Sequence, residues 1–504
     1  MLVLAVLYAA AAAVLLTFGL NQLWLSVRHL RAGGLRRTAL PPPPDVWPRV
    51  TVQLPVYNEP LVVERLIDAC ARLDYPAGRL EIQVLDDSTD ATRVRAAEHV
   101  ASWRARGVDA VRLTRPTREG FKAGALAYGL ERAKGELVAV FDADFVPGPD
   151  FLRRTVPLLT NDPRLGLVQV RWGHLNGTAS LLTRVQAALL DAHFVVEQDV
   201  RGGDGCFVSF NGTAGLWRRA CIDDAGGWQA DTLTEDLDLS YRAQLRGWRF
   251  RFLADAAVPS EVPLTAAAWR QQQFRWTKGT AETARKLLGA FRRAPLPLRT
   301  RIQGHLHLGG FLVYPAILVA ALLHAPLLGA RALGLAPGPA YFAALNVGLL
   351  GCVGVLLAHA VTQRALYADG LRRLLVLPAL LAATMGLSLS NTRAVAEALV
   401  GYRTPFVRTP KAGALGRRAA YALRAPRLMP LLEGAMALYS LAGLLVLIEV
   451  EAWAGLGFQA MFGVGFGWLA LHDVAGRRRL HRERPKRRTL ALARPESALL
   501  AEAA

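Results

Sequence analysis

Two carboxylate motifs and one glutamine–arginine–tryptophan element stand in a fixed order along this chain. They are Asp142-Ala143-Asp144, Thr234-Glu235-Asp236 and Gln271-Gln272-Gln273-Phe274-Arg275-Trp276. Asp142 and Asp144 differ by two positions, so both side chains can reach one site around a strand end. Two carboxylates beside a diphosphate make sense only with a bridging cation, Mg2+ or Mn2+, bound through oxygen. Such a cation would stabilise a leaving diphosphate. The plainer account is a pair of turn-capping aspartates. Thr234 suits a helix N-cap, and Glu235 and Asp236 suit the positive end of the helix that follows. A carboxylate held there is also placed for general-base work on a hydroxyl, which makes Asp236, with Glu235 beside it, the catalytic candidate. Gln272 and Arg275 share a helix face at a spacing of three. Arg275 can grip a diphosphate bidentately. Trp276 offers either a flat face to a sugar ring or a tryptophan at a membrane interface. Taken together, these are the parts needed to move a sugar from a nucleoside diphosphate onto a hydroxyl.

The flanking sequence supplies elements to hold them. Strand-like runs at residues 50–54, 82–85 and 137–141 alternate with helical patterns, the rhythm of a mainly parallel sheet covered by helices. Ligands of such sheets bind at the carboxyl ends of the strands, and acidic residues follow all three runs. Asp86 and Asp87 end the second. One of them can cap the helix expected from about Thr89, and the other can hydrogen-bond a base or ribose. Lys122 sits near a helix start, either as a point charge for phosphate or as a solvated surface lysine.

Of the 504 residues, 52% are hydrophobic, yet the formal charge is +20. Apolar segments and basic juxtamembrane loops account for both numbers, and scattered arginines without a recognition motif argue against nucleic acid. Four cysteines without metal-ligand spacing read as reduced and structural. Residues 1–27 form one membrane helix. The arginines that follow place its end in the cytoplasm. Residues 28–46 are a basic, Pro-rich linker, and 47–304 a cytosolic domain. Residues 305–475 hold transmembrane and interface helices with spans at 307–328, 340–361, 429–448 and 454–471. Residues 374–387 are apolar but short. A crossing there would put the basic stretch 403–427 outside, so 374–400 reads as interfacial or re-entrant and five spans remain. Residues 476–504 read as a basic, disordered tail.

In this order the motifs resemble the processive family 2 glycosyltransferases, that is, cellulose synthase and the cellulose-synthase-like mannan and glucan synthases. Phe210-Asn211-Gly212-Thr213 resembles the family's stretch near the acceptor, and Phe406-Val407-Arg408-Thr409-Pro410-Lys411, inside the loop 403–413, resembles its gating loop. The resemblance implies an α/β GT-A-like catalytic domain embedded in an α-helical transmembrane protein, an inverting mechanism and a divalent cation. Carried over residue by residue, Tyr57, Glu59, Asp86, Asp87, Lys122, Asp142, Gln272, Arg275, Thr409 and Lys411 serve the donor. Asp142 and Asp144 serve the metal, Asp236 is the base, and Trp276 and Asn211 serve the acceptor. The implied partners are a nucleotide sugar of the UDP-glucose or GDP-mannose type, a growing glycan or lipid acceptor, and membrane lipids of a bacterial inner membrane. A single span before the catalytic domain, Asn211 in place of cysteine and a short tail point to the mannan-synthase-type branch. The competing readings are a single-transfer glycolipid glycosyltransferase of the ceramide or diacylglycerol type, and a transporter or scaffold with a degenerate domain.

Overall fold

The computed structural model describes residues 1–335, 337–404 and 428–482. Its centre is one seven-stranded sheet: β1 (Val50–Val56), β2 (Leu80–Asp86), β3 (Asp109–Leu113), β4 (Leu137–Val140), β5 (Leu165–His174), β6 (Gly215–Arg218) and β7 (Arg249–Ser260), in the order β3-β2-β1-β4-β6-β5-β7. All neighbouring pairs are parallel except those of β6, which runs against both β4 and β5. This is the mainly parallel, GT-A-like sheet that was expected, with one reversed strand. β1, β2 and β4 are buried almost throughout, as strands covered on both faces must be; the polar residues that alternate in β1 and β2 are buried as pairs, Thr51 with Glu81 (2.6 Å) and Gln53 with Gln83 (3.1 Å). Strand order reverses direction at β1, leaving a crevice between the ends of β1 and β4. Because β6 is antiparallel, its start, not its end, opens onto the same edge.

Six helices among the described residues are long and apolar enough to cross a membrane: Leu2–Arg31, Gly310–Ala332, Pro339–Leu366, Gly370–Leu399, Leu428–Glu449 and Trp453–Ala475. Five match the expected spans. The fourth counts against the interfacial or re-entrant reading of 374–400 and against the total of five spans: Gly370–Leu399 is itself long and apolar enough to cross, and Ser388, Ser390 and Asn391, which follow the apolar run 374–387, are buried inside the bundle. Half of this helix's apolar window is buried, against 17–39% in the other five. It is the central helix, packed on the catalytic domain's helix Ala266–Arg293. It also crosses the last helix closely. A Cβ on Gly386 would lie 2.4 Å from the Gly465 carbonyl oxygen, so glycine is what permits the approach.

Ion pairs join the two layers. The Arg28 side chain, at the end of the first helix, reaches Asp204 at 2.7 Å, with Arg36 and Arg299 each at 3.6 Å. Two of the arginines read as membrane-orienting are therefore also tethers to the catalytic domain. Arg270 is buried between Glu433 (2.8 Å) and Asp473 (2.6 Å), which belong to the last two helices. Lys278, fully buried, donates to Glu397 Oε2 (3.0 Å) and the Tyr402 carbonyl (2.7 Å). One helix, Ala266–Arg293, is thus held to three membrane-embedded helices. Removing either partner of such a buried pair leaves a charge without compensation.

Candidate active site

The sheet edge decides which side chains meet. β1 delivers Tyr57 and Glu59, β2 delivers Asp87, and β4 delivers Asp142 and Asp144. The turn before β6 brings Asn211, and β7 ends in Glu261. All of these line one cleft. Helix Glu235–Leu245 adds Glu235 and Asp236, helix Phe121–Arg132 adds Lys122, and helix Ala266–Arg293 adds Gln272, Arg275 and Trp276. Every expected site residue among the described residues lines this cleft except Asp86. Alternation at the end of β2 turns Asp86 inward. There its carboxylate is buried, accepting from Ser88 N (2.9 Å) and Arg112 Nε (2.7 Å). Asp87, of the pair, is the one that lines the cleft, steadied by Arg115 Nε at 3.0 Å. Thr409 and Lys411 lie outside the described residues.

Lys122 is not a surface lysine. Its ammonium donates to Asp142 Oδ1 (2.6 Å) and to the Gly212 carbonyl (2.8 Å). Burial works against its charge, but Asp142, Glu235 and Asp236 outweigh burial and hold its pKa above the ordinary lysine value. Arg275 stands in the same field. Burial lowers its pKa, opposed by Glu235, Asp142 and Asp236. Lys122 and Arg275 thus both stand in the field of Asp142, Glu235 and Asp236, a charge pattern ready for an anion bearing its own cation. Among the described residues, no group of three His, Cys, Asp or Glu converges to hold a metal by protein atoms alone. Asp142 and Asp144, both lining the cleft, would be the residues to hold a hard divalent cation, which is bound through oxygen.

Asp236 carries the clearest perturbation. Burial, and then the neighbouring Glu235, push its pKa up to about 7, while Lys122 and the backbone N–H of Leu237 (2.8 Å to Oδ1) pull the other way. A base poised near neutrality is what proton abstraction from a hydroxyl calls for. Thr234 occupies the N-cap position without capping. Its hydroxyl faces Thr283 Oγ1 at 3.2 Å, and Leu233 N donates to Glu282 Oε2 at 2.8 Å. The turn before the base is therefore clamped onto helix Ala266–Arg293. Gly279 makes the clamp possible, since a Cβ there would lie 2.5 Å from Thr234 Cγ2 and 2.8 Å from its backbone nitrogen. Gly279→Ala is expected to push the two helices apart and cost turnover on the order of 10²-fold with the protein still folded. Steady-state rates together with a melting curve would check this, and unchanged turnover would show that the approach is not needed.

Trp276 is half-buried and lines the cleft, its ring 6.4 Å from that of Trp172, a placement that speaks against the membrane-interface account of this tryptophan. Asn211, Asp236, Gln272 and Trp276 also line a second cavity of about 290 Å³ that continues past Trp269 to Tyr314 and Thr384 on the membrane helices. Sequence reasoning missed Arg118, whose guanidinium sits 3.5 Å above the Tyr57 ring in the cleft. It also missed Trp172. The first lies in a loop and the second on a strand, and neither belongs to a motif.

The comparisons agree with this geometry. Residues 48–279 match the model described as glycosyltransferase like family 2. A probable glucomannan 4-beta-mannosyltransferase 7 of Oryza sativa subsp. japonica is 48% identical over 245 residues, covering 48% of this chain and 42% of the relative. Glucomannan 4-beta-mannosyltransferase 2 of Arabidopsis thaliana is 48% identical over 246 residues, covering 48% and 46%. The chain thus spans about half the length of the curated relatives it matches. The mannosyltransferase PcManGT from Pyrobaculum calidifontis, solved in complex with GDP-Man and Mn2+, superposes with a TM-score of 0.54 at 22% identity, covering 79% of this chain and all of that one, a likeness of fold. With the motifs in order at one sheet edge, residues 48–279 are a family 2 glycosyltransferase domain.

Proposed function

We propose that this chain polymerises a β-linked polysaccharide at a membrane, transferring the sugar of a nucleotide donor with inversion, and that GDP-mannose is the preferred donor. One observation carries the reading. A base, two cations, a carboxylate pair and an aromatic platform converge on a cleft that opens into a second cavity bounded by membrane helices. The mannosyltransferase relatives and the GDP-Man-bound fold neighbour support the choice of donor.

Asp236 takes the proton of the acceptor hydroxyl as that oxygen bonds to the anomeric carbon. The bond from that carbon to the diphosphate breaks on the opposite side, and the nucleoside diphosphate leaves with the electron pair. Arg275 and Lys122 receive its charge. A divalent cation, Mg2+ or Mn2+, held by Asp142 and Asp144, supplies neutralisation of the leaving diphosphate. Trp276 and Asn211 hold the acceptor sugar, and Tyr57 and Asp87 serve the nucleoside. The domain faces the cytosol of a bacterial inner membrane, supported by the arginine-rich end of the first helix and its tether to Asp204.

The test is a donor screen in membranes containing the chain, with GDP-mannose and UDP-glucose, followed by product sizing and linkage analysis. Long β-mannosyl product from GDP-mannose is expected. A product one sugar long on a lipid would replace polymerisation with glycolipid synthesis, and preference for UDP-glucose would overturn the donor.

A further inference from the structure

The helix between Leu181 and Gly203 changes register in its middle. Residues His193–Gln198 form a π-helical turn between α-helical flanks. In an α-helix, positions five apart point about 140° away from one another. A π turn has an i→i+5 register and brings such positions toward one face. Here residues 193 and 198 converge on a single side chain, that of Asn211 in the acceptor region.

The orientation of that side chain follows from backbone groups whose roles are fixed. Gln198 Nε2 donates to the Ser209 carbonyl (2.8 Å), and Gln198 Oε1 accepts from the Ser209 N–H (3.3 Å). Gln198 Nε2 therefore faces Asn211 and donates to its Oδ1 at 2.8 Å. That leaves Asn211 Nδ2 toward His193 Nε2 at 3.2 Å. An amide N–H needs an acceptor, so Nε2 carries the lone pair and the imidazole proton sits on Nδ1. Nδ1–H in turn donates to Glu197 Oε2 at 3.0 Å. The other Glu197 oxygen accepts from Gln22 Nε2, on the first membrane helix, at 2.5 Å, and Arg201 lies 3.6 Å from Oε2 itself. The Asn211 main chain is held as well, by donation from its N–H to Gln169 Oε1 at 3.1 Å. Asn211 lines both cavities, and one N–H of its amide remains beyond the bond to His193.

We propose that His193, Glu197 and Gln198 are positioning residues that fix the Asn211 amide in one orientation, so that its remaining N–H is aimed at a hydroxyl oxygen of the acceptor sugar. The assignment rests on the reading of the cleft as a glycosyl-transfer site. His193, Glu197 and Gln198 bond to Asn211, Ser209 and Gln22, whereas the Lys122 ammonium bonds to Asp142 and the Gly212 carbonyl.

The experiment compares the full chain with His193→Gln, His193→Asn and His193→Leu in lipid nanodiscs. Three quantities are read: transfer to an oligosaccharide acceptor, with kcat and acceptor KM separated; hydrolysis of the nucleotide sugar without acceptor; and nucleoside diphosphate binding. A glutamine oxygen can reach the place of Nε2, and an asparagine oxygen falls one methylene short. His193→Leu and His193→Asn are expected to lower transfer about ten-fold, mainly through acceptor KM, while hydrolysis and nucleotide binding hold. His193→Gln is expected to recover most of the loss. If His193→Leu does not fold, the two polar variants carry the comparison. Equal losses in transfer and hydrolysis, or His193→Gln no better than His193→Asn, would overturn the positioning role while leaving the site's function standing. A wild-type chain that releases no nucleotide from any sugar donor would overturn both.

Discussion

Asp236→Asn is expected to reduce transfer by on the order of 10³-fold or more, with nucleoside diphosphate binding unchanged. The substitution is nearly isosteric, and an amide oxygen can still accept from Leu237 N, so the helix start should survive. What is lost is the ability to take a proton. The pKa of Asp236, raised to about 7, adds a second signature. The active form is the carboxylate, so transfer is full above that value and falls as pH drops through it, about ten-fold per unit once the acid form dominates. The wild-type profile should show this acidic limb, and the residual activity of Asp236→Asn should not. Wild-type-like turnover in the variant would remove Asp236 from the chemistry.

Removing divalent cations is the second large effect. Stripping the protein and adding excess EDTA is expected to lower turnover on the order of 10²–10³-fold, the equivalent of several kcal/mol of charge stabilisation on the leaving group. The donor diphosphate brings its own negative charge into a cleft already lined by carboxylates, Asp142, Asp144, Glu235 and Asp236 among them, against which stand the cations Lys122, Arg275 and Arg118. Nucleoside diphosphate binding measured by calorimetry should weaken in parallel, which separates loss of the cation from inhibition of a later step. Full activity in EDTA after stripping would rule out the carboxylate pair as a cation site.

Much of this site was legible because strand ends and helix starts are legible. A strand-like run followed within five residues by an acidic one, repeated three times, places the ends of those runs at one sheet edge. The choice between Asp86 and Asp87 was not legible, since it depends on which face of β2 ends against Arg112. The length of the 370–399 helix was hidden by Ser388, Ser390 and Asn391, which pattern reasoning reads as an exit from the bilayer and the bundle buries. The π turn leaves no trace in composition: His-Phe-Val-Val-Glu-Gln reads as ordinary helix, and the backbone register of the folded chain reveals it. Arg118 and Trp172 reach the cleft through tertiary placement, not local spacing.

The matched domain ends at residue 279, but the catalytic apparatus is not detachable there or at residue 304. Cutting the chain after its cytosolic part would strand the Arg270 guanidinium without Glu433 and Asp473, leave the Lys278 ammonium without Glu397, and take away the wall that Tyr314, Thr384 and Leu387 give the second cavity. The helix bearing Arg275 and Trp276 would lose its footing on one side while its other side still gripped the base. The family boundary in the sequence is therefore no boundary for the machine. Its smallest working piece is expected to include the membrane helices that pair with Arg270 and Lys278.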